Sequence, residues 1–183
     1  NDEKALNVIK NECEEKHSEL TVKNPDSLKI LSTTLDGTEF EFNGKEYFIR
    51  LLGLYQPANA ATVLAAIDVL RKHGFEISET AVKDGLSSAV WQARFEKIAD
   101  EPVMLYDGGH NPQGVRAAVE SVRAYFGDKK INLLVGILAD KAHGEMAEEL
   151  AKIADRVICA RSPRKRLRKS FAKRGQTRAP QTV

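Results

Sequence analysis

Two clusters of polar residues follow short apolar segments and have the composition of a ligand site. They read DGGHN at residues 107–111 and ADK at residues 139–141. Glycine lets a backbone approach a ligand closely, and a turn that opens a helix presents free amides that favour an anion. Asp107 can accept from hydroxyl groups, and His110 can bind a carboxylate or a phosphate. A plain Asp-Gly-Gly turn before an Asn-Pro helix start explains the first cluster equally well.

The elements around these clusters are those of an α/β fold. The sequence predicts strands at residues 103–106, 131–138 and 157–160 and helices at residues 112–126 and 144–154. Strands and helices that alternate with short connections form parallel sheets. Because ligands of such sheets lie beyond the carboxyl ends of the strands, both clusters fall where a site is expected.

The earlier part of the chain has a different pattern. Apolar and polar side chains alternate in residues 28–35, 38–42 and 46–52, which are separated by Asp36-Gly37 and Asn43-Gly44. These dipeptides favour type I′ turns, in which both central residues have a positive φ. The sequence therefore predicts a three-stranded antiparallel meander.

Helices are predicted on both sides of this meander. Residues 1–19, 59–73 and 78–86 have apolar side chains at helical spacing. Gly74 supplies a left-handed end to the second of these helices, and the Ser78 hydroxyl is able to cap the third. The later change to alternating strands and helices predicts a boundary near Asp100, with one domain at residues 1–99 and another at residues 100–160.

The net charge of +2 conceals an uneven distribution. Nineteen cationic and twenty-six acidic residues give residues 1–160 a formal charge of −7, whereas residues 161–183 contain nine cationic residues and no acidic one. The strongly apolar residues of that last segment are Leu167, Phe171 and Val183. So little apolar surface does not offset the entropy of ordering, and we expect a disordered basic tail.

Composition limits the setting in which the protein works. Hydrophobic residues make up 42% of the 183 residues, which is enough for a core, and the mean hydropathy is −0.37. No apolar run approaches the ~20 residues of a membrane-spanning helix, and the charged start of the chain does not resemble a secretory signal. Two distant cysteines, Cys13 and Cys159, indicate neither a disulfide framework nor a zinc site. We expect a cytoplasmic protein with no membrane partner.

Four segments resemble, in their order, the motifs of one enzyme family. They read LLGLYQPANAATVLAAIDVL (51–70), WQARFE (91–96), YDGGHNP (106–112) and LVGILADK (134–141). Their order and spacing are similar to those of folylpolyglutamate synthases, including bifunctional bacterial enzymes that are also dihydrofolate synthases, within the Mur-ligase superfamily. The resemblance covers residues 1–160 and implies the end of the central ATPase domain followed by part of the Rossmann-like carboxy-terminal domain.

The resemblance implies an amide-forming ligase. In this family ATP phosphorylates the terminal carboxylate of a folate, and the amino group of L-glutamate attacks the acyl phosphate. The implied partners are ATP, glutamate and a folate or dihydropteroate, with Mg²⁺ as cofactor and a monomeric protein. Because these 183 residues contain no G-x-x-x-x-G-K-[ST] phosphate loop, the resemblance implies that the loop and the Mg²⁺ ligands lie upstream.

The same resemblance assigns roles to five residues. Asn59 corresponds to an asparagine near the nucleotide base, Arg94 to an arginine that contacts ATP, and Asp107 to an aspartate at the nucleotide ribose. His110 and Lys141 correspond to catalytic positions, the histidine near the incoming glutamate or the reacting phosphate. Simpler interpretations are a helix cap for Asn59, a surface ion pair for Arg94 and plain solvation for Lys141.

Three positions depart from the pattern of the family. Tyr55 stands where histidine is usual, Gln92-Ala93 where Pro-Gly is usual, and Gly109 where alanine is usual. None of them removes a charged group of the implied site. The aromatic residues Trp91 and Phe95 are expected in the core rather than against a ligand.

Two other functions are open to the sequence. The nine cationic residues at 161–183 would give salt-dependent contacts to nucleic-acid phosphates. The acidic body would repel a polyanion, however, and the tail has one aromatic residue, so we do not expect a nucleic-acid partner. A Mur-type cell-wall ligase is the second alternative, and the run GLYQPAN at residues 53–59 favours the folate branch instead.

Overall fold

A computed structural model describes residues 3–129, 131–138 and 141–160. Their elements are α1 (Glu3–Glu15), a 3-10 turn (Pro25–Ser27), β1 (Leu28–Thr34), β2 (Gly37–Phe42), β3 (Lys45–Ile49), α2 (Gln56–Lys72), α3 (Glu79–Ser88), β4 (Glu96–Asp100), β5 (Val103–Tyr106), α4 (Pro112–Phe126), β6 (Ile131–Val135), α5 (His143–Ala151) and β7 (Ala154–Cys159). The chain divides into two compact units between Val90 and Trp91. The predicted basic tail lies outside the described residues.

The first unit is built on the predicted meander. Its three strands pair antiparallel in the order β1-β2-β3, with Phe40 opposite Tyr47. Asn43 and Gly44 have φ values of 51° and 76°, as the type I′ turn between β2 and β3 requires. The meander and this second turn are confirmed.

The first hairpin turn differs from the prediction. Gly37 already pairs with Thr34 at the start of β2, so the turn lies at residues 35 and 36. Only Gly37 of the Asp36-Gly37 pair has a positive φ, at 151°, and the type I′ prediction for this pair is wrong. A Cβ atom on Gly37 would lie 2.5 Å from the carbonyl oxygen of Ile49. Glycine is needed here because β3 passes close by.

Helices α2 and α3 pack against one face of the meander. The buried core consists of Phe40, Phe42, Tyr47, Ile49, Ala60, Ala61, Leu64, Val82 and Leu86. The Ser78 hydroxyl accepts from the backbone amide of Ala81 at 3.1 Å, so the predicted cap of α3 is confirmed. Helix α2 begins at Gln56, three residues before the predicted start, because Pro57 is well placed in a first helical turn. Helix α1 forms as predicted, but it buries no residue among those that the structure describes.

Arg71 of α2 joins α2 to the start of α3 and, through a shared carboxylate, to β3. Its Nε and Nη2 donate to the carbonyl oxygen of Ile77 at 2.9 and 2.7 Å, and its Nη1 lies 2.9 Å from Glu79 Oε1. Lys45 of β3 donates to the same Glu79 oxygen at 2.9 Å. This hydrogen bond is the main reason why the pKa of the Glu79 carboxyl is lowered and the pKa of Lys45 is raised.

Glu79→Gln is expected to lower the urea midpoint of the first unit slightly at neutral pH. A carboxyl with a lowered pKa stabilises the fold above its unfolded pKa, and this stabilisation is lost as pH falls through the folded value. The difference between the variant and the unsubstituted chain should therefore shrink as pH falls below the ordinary glutamate pKa of about 4.3. Urea titrations across this range measure it. Glu76→Gln, at an exposed position nearby, is the control.

The second unit begins with a strand that the sequence analysis did not predict. Strand β4 pairs antiparallel with β5, with Glu96 opposite Tyr106 and a bulge between Lys97 and Ala99. Because β4 and β5 form one hairpin, both strands belong to the compact unit that starts at Trp91. The domain boundary near Asp100 stays a prediction from the sequence.

The remaining elements form the α/β part of the second unit. Strands β6 and β7 pair in parallel, and α5 lies in the connection between them, as predicted. Helices α4 and α5 share a core of Val115, Val119 and Met146. Within the described residues β5 pairs with β4 and not with β6 or β7. The parallel sheet therefore has two strands there, where the sequence predicts three. No helix in these ranges has the length and apolar character needed to cross a bilayer.

Candidate functional site

The first polar cluster forms a tight turn directly after β5. Asp107 folds back on this turn, and its Oδ1 accepts from the Gly109 amide at 2.7 Å. Its other oxygen, Oδ2, accepts from the amide of Phe95 at 2.8 Å. One carboxylate thus fastens two loops that lie 12 residues apart in the chain.

A second hydrogen bond joins the same two loops. The Gly108 amide donates to the carbonyl oxygen of Ala93 at 2.7 Å. Residues 91–96 and 107–111, which we call the paired loops, therefore form one structure. The predicted site residues Arg94, Asp107 and His110 all lie on it.

The loop at residues 91–96 has an unusual backbone around Arg94. The residues on either side, Ala93 and Phe95, have positive φ values of 57° and 49°. Such a conformation costs a residue with a side chain about 1–2 kcal/mol. The Ala93 amide donates to Glu96 Oε2 at 2.7 Å, and the Phe95 amide donates to Asp107. Two carboxylates therefore hold both left-handed residues in place.

In the loop at residues 91–96, one aromatic side chain is buried and the other is exposed. Phe95 is buried, and its ring stacks on Tyr125 of α4 with centroids 5.8 Å apart, so the prediction of a core position is confirmed. Trp91 is 65% exposed, and the same prediction for it is wrong. Arg94 is also exposed, and its guanidinium has no hydrogen-bond or ion-pair partner among the described residues.

Ala93→Gly is expected to stabilise the second unit by about 0.5–1 kcal/mol. Glycine adopts a positive φ without the steric cost that alanine has, although it loses more entropy on folding. Chemical denaturation followed through the fluorescence of Trp91, the one tryptophan of the chain, measures the change. Ala99→Gly in β4 is the matched control and should destabilise instead. A loss of stability in Ala93→Gly contradicts the left-handed conformation.

The turn leads straight into α4. The Asn111 side chain caps this helix by accepting from the Gly114 amide at 2.7 Å, and Pro112 follows at the first helical position. His110, just before the cap, is exposed, with Nδ1 at 3.3 Å from the carbonyl oxygen of Gly108. The imidazole thus stands beside the amino-terminal end of α4, which favours negative charge.

Gly109 keeps the turn in its present form. A Cβ atom at this position would lie 2.6 Å from Asp107 Oδ1, which is too close for the carboxylate to stay where it is. Because Asp107 reaches both the Gly109 and the Phe95 amides, any larger residue here would disturb the contact between the paired loops.

The remaining two predicted site residues lie elsewhere. Lys141 is half-buried in the turn between β6 and α5, where its carbonyl oxygen accepts from the His143 amide at 2.7 Å. Its neighbours at 139 and 140 are outside the described residues. Asn59 belongs to the first unit, in the first turns of α2, and its Nδ2 donates to Gln56 Oε1 at 3.0 Å. Asn59 does not cap the helix, since the cap position is Tyr55.

Comparison with known proteins supports one family. Residues 93–182 match the family described as "Mur ligase, glutamate ligase domain", a range that includes most of the basic tail. The dihydrofolate synthase/folylpolyglutamate synthase of Bacillus subtilis is 29% identical over 163 residues, covering 82% of this chain and 36% of that protein. The folylpolyglutamate synthase of Thermotoga maritima superposes with a TM-score of 0.76 at 30% identity, covering 92% of this chain and 41% of that one. Residues 93–182 therefore match the Mur-ligase glutamate ligase domain, and the chain is similar in sequence and fold to folylpolyglutamate synthases.

A further solved structure adds ligands to this comparison. It is a complex of a folylpolyglutamate synthase with AMPPCP and folate, with a TM-score of 0.74 and 25% identity over 92% of this chain and 42% of that one. The chain therefore spans less than half the length of these Mur-ligase relatives.

Glu96 is a residue of the paired loops that the sequence did not predict as part of the site. A carboxylate that accepts from a backbone amide has no characteristic sequence pattern. In the sequence, Glu96 therefore looks like any other charged residue. The available signal was a pair of acidic residues that flank the hairpin, Glu96 at the start of β4 and Asp107 directly after β5.

The described residues do not offer a Mg²⁺ site. They contain no group of three or more His, Cys, Asp and Glu side chains arranged to hold a metal ion. The carboxylates of Asp107 and Glu96 are both bound to backbone amides. The paired loops therefore do not fit a resident Mg²⁺ ion.

Proposed function

We propose that this chain is part of an ATP-dependent ligase that joins L-glutamate to the γ-carboxylate of a folate through an acyl phosphate. The observation that carries the proposal is the pairing of residues 91–96 with residues 107–111, which brings Arg94, Asp107 and His110 together. The likeness to folylpolyglutamate synthases, one of them in complex with AMPPCP and folate, supports it.

Arg94 would contact an anionic group of ATP in this function. Its guanidinium is exposed and has no partner among the described side chains, so no existing ion pair has to break when an anion arrives. A guanidinium donates in a planar fork that matches the oxygens of a phosphate. Arg94 is therefore equipped to hold the nucleotide.

Asp107 would accept from the nucleotide ribose. Each of its oxygens already accepts one backbone amide, from Gly109 or from Phe95. A carboxylate oxygen has room for about two hydrogen bonds, so one acceptor direction on each oxygen stays available for a hydroxyl. The backbone contacts fix the carboxylate in advance, which lowers the entropy lost when the nucleotide binds.

His110 and Lys141 would supply the charge that the reaction needs. A carboxylate is a poor electrophile, and its phosphorylation and the attack by glutamate both bring anionic groups together. His110 beside the start of α4 would lie near the incoming glutamate or the reacting phosphate, and Lys141 would add a cation. Asn59 would lie near the base of the nucleotide.

Other parts of the reaction would come from residues outside this chain. The 183 residues contain no G-x-x-x-x-G-K-[ST] motif, so the phosphate loop and the Mg²⁺ ligands would belong to a longer protein. We also propose a monomeric cytoplasmic enzyme whose substrate is a folate or dihydropteroate. The two free cysteines, Cys13 and Cys159, agree with a reducing compartment.

The isolated chain is expected to show no ligase turnover. Without a phosphate loop the β- and γ-phosphates and the metal have no cradle. A fusion protein is made by replacing the matched segment of the Bacillus subtilis relative with this chain, behind the preceding portion of that relative. This fusion should release ADP only when glutamate and a folate are both present. The assay measures ADP release by both proteins. Turnover by the isolated chain, or none by a folded fusion, contradicts the proposal.

A further inference from the structure

We infer that Glu96 is a positioning residue for Arg94 and that it prepares the guanidinium for an anionic group of a nucleotide. The inference rests on the proposed nucleotide site at the paired loops. No contact between Glu96 and a ligand is needed, because Glu96 acts through the backbone on the amino-terminal side of Arg94.

Glu96 holds the backbone just before Arg94. Its Oε2 accepts from the Ala93 amide at 2.7 Å, and Ala93 has a φ of 57°. An alanine does not adopt this conformation without support, so an external acceptor is needed to hold it. The residue whose direction depends most on this conformation is the next one, Arg94.

The Glu96 carboxylate does not pair with the guanidinium of Arg94 in the part of the chain that the structure describes. Among the described residues, neither Glu96 nor Asp107 forms an ion pair with Arg94, although both carboxylates bind the backbone on one side of it. An acidic side chain two positions from an exposed arginine would ordinarily be free to pair with it. Here one carboxylate oxygen binds an amide and no ion pair with Arg94 forms among the described residues, so the guanidinium is available for an incoming anion.

The groups that support Arg94 lie on rigid elements. Glu96 is the first residue of β4 and pairs with Tyr106, the residue just before Asp107. The two carboxylates therefore lie at neighbouring positions of one hairpin, while Phe95 is anchored in the core against Tyr125. Arg94 is held on both sides by groups that strands and core fix in place.

The test uses the whole ¹⁵N-labelled chain and needs no ligand in its first part. Solution NMR measures the three-bond HN–Hα coupling of Ala93 and the ¹⁵N relaxation of Arg94 Nε. We expect Glu96→Ala to average the coupling and to increase the mobility of Arg94 Nε. Glu96→Gln, which keeps the acceptor oxygen, should leave both unchanged. Glu96→Asp keeps the charge but is too short to reach the amide, and it should behave as alanine does.

The second part measures binding of ADP to the same variants. Glu96→Ala and Glu96→Asp should weaken ADP binding about tenfold, as expected when a hydrogen bond to a charged group is lost. In an Arg94→Ala background the same substitutions should have no further effect, because the group that Glu96 positions is gone. Glu120→Ala on the exposed face of α4 is the control for a change of charge.

The outcomes separate this inference from the proposed function. Unchanged Ala93 coupling and unchanged Arg94 relaxation in both Glu96→Ala and Glu96→Asp overturn the inference, whether or not ADP binds. Additive losses from the Glu96 and Arg94 substitutions also overturn it, since they indicate independent effects. Failure of the unsubstituted chain to bind ADP counts against the proposed site, while the coupling and relaxation still decide the role of Glu96.

Discussion

Asp107→Ala is expected to lower the stability of the second unit by about 2–4 kcal/mol and to abolish nucleotide binding by the paired loops. A hydrogen bond to a charged group contributes about 1.5–3 kcal/mol, and Asp107 accepts two of them in a partly buried position. Its removal leaves the amides of Phe95 and Gly109 without their acceptor. Thermal denaturation and ADP titration measure the two effects.

Asp107→Asn is the control for this experiment. An asparagine has nearly the same shape, but only one of its side-chain atoms accepts a hydrogen bond. It should keep one of the two backbone contacts and show an intermediate loss of stability. An Asp107→Ala variant with unchanged thermal stability would show that the carboxylate does not join the paired loops.

Phe40→Ala is expected to destabilise the first unit by about 3–5 kcal/mol, as large-to-small substitutions in a packed core do. Phe40 has no exposed surface, and its ring stacks on Tyr47 with centroids 5.7 Å apart. Removal of the ring leaves a cavity between the meander and the two helices. Hydrogen exchange of the backbone amides of β2 and β3 measures the loss.

Phe75→Ala provides the comparison, because the same atoms are removed from a side chain that is 59% exposed. Its effect should stay below about 1 kcal/mol. Equal losses in the two variants would mean that Phe40 is not at the centre of the core.

Local signals in the sequence predicted much of the fold. The Asn43-Gly44 turn, the Ser78 cap and the Asn-Pro start of α4 depend on the conformation of one or two residues, which their side chains largely decide. The Asp36-Gly37 prediction failed because glycine is needed at this position for close packing against β3, and not for the turn itself. A contact between distant segments has no local pattern.

Strand β4 escaped prediction for a related reason. Its sequence EKIAD has charged residues at both ends and a bulge in its pairing, so it shows no clear alternation. It forms because β5 offers it a partner. The predicted parallel sheet around β5 was wrong because this strand was missed.

The candidate site was predicted unevenly. The types and spacing of residues 107–111 indicated a ligand site, whereas Arg94 and Asn59 were identified through the family resemblance alone. The contact that joins the paired loops was not predictable, because it links the Asp107 carboxylate to the backbone amide of Phe95. Backbone amides are the same at every residue, so the sequence does not show which one a carboxylate will bind.

The central claim is that the paired loops bind a nucleotide, and amide chemical-shift mapping with ADP tests it most directly. ADP added to the ¹⁵N-labelled chain should shift the amides of residues 93–96 and 107–111. The shifts should be lost in Arg94→Ala, while Trp91→Ala, which changes an exposed neighbour, should keep them. No shifts in these loops at millimolar ADP, or shifts that persist in Arg94→Ala, would contradict the account.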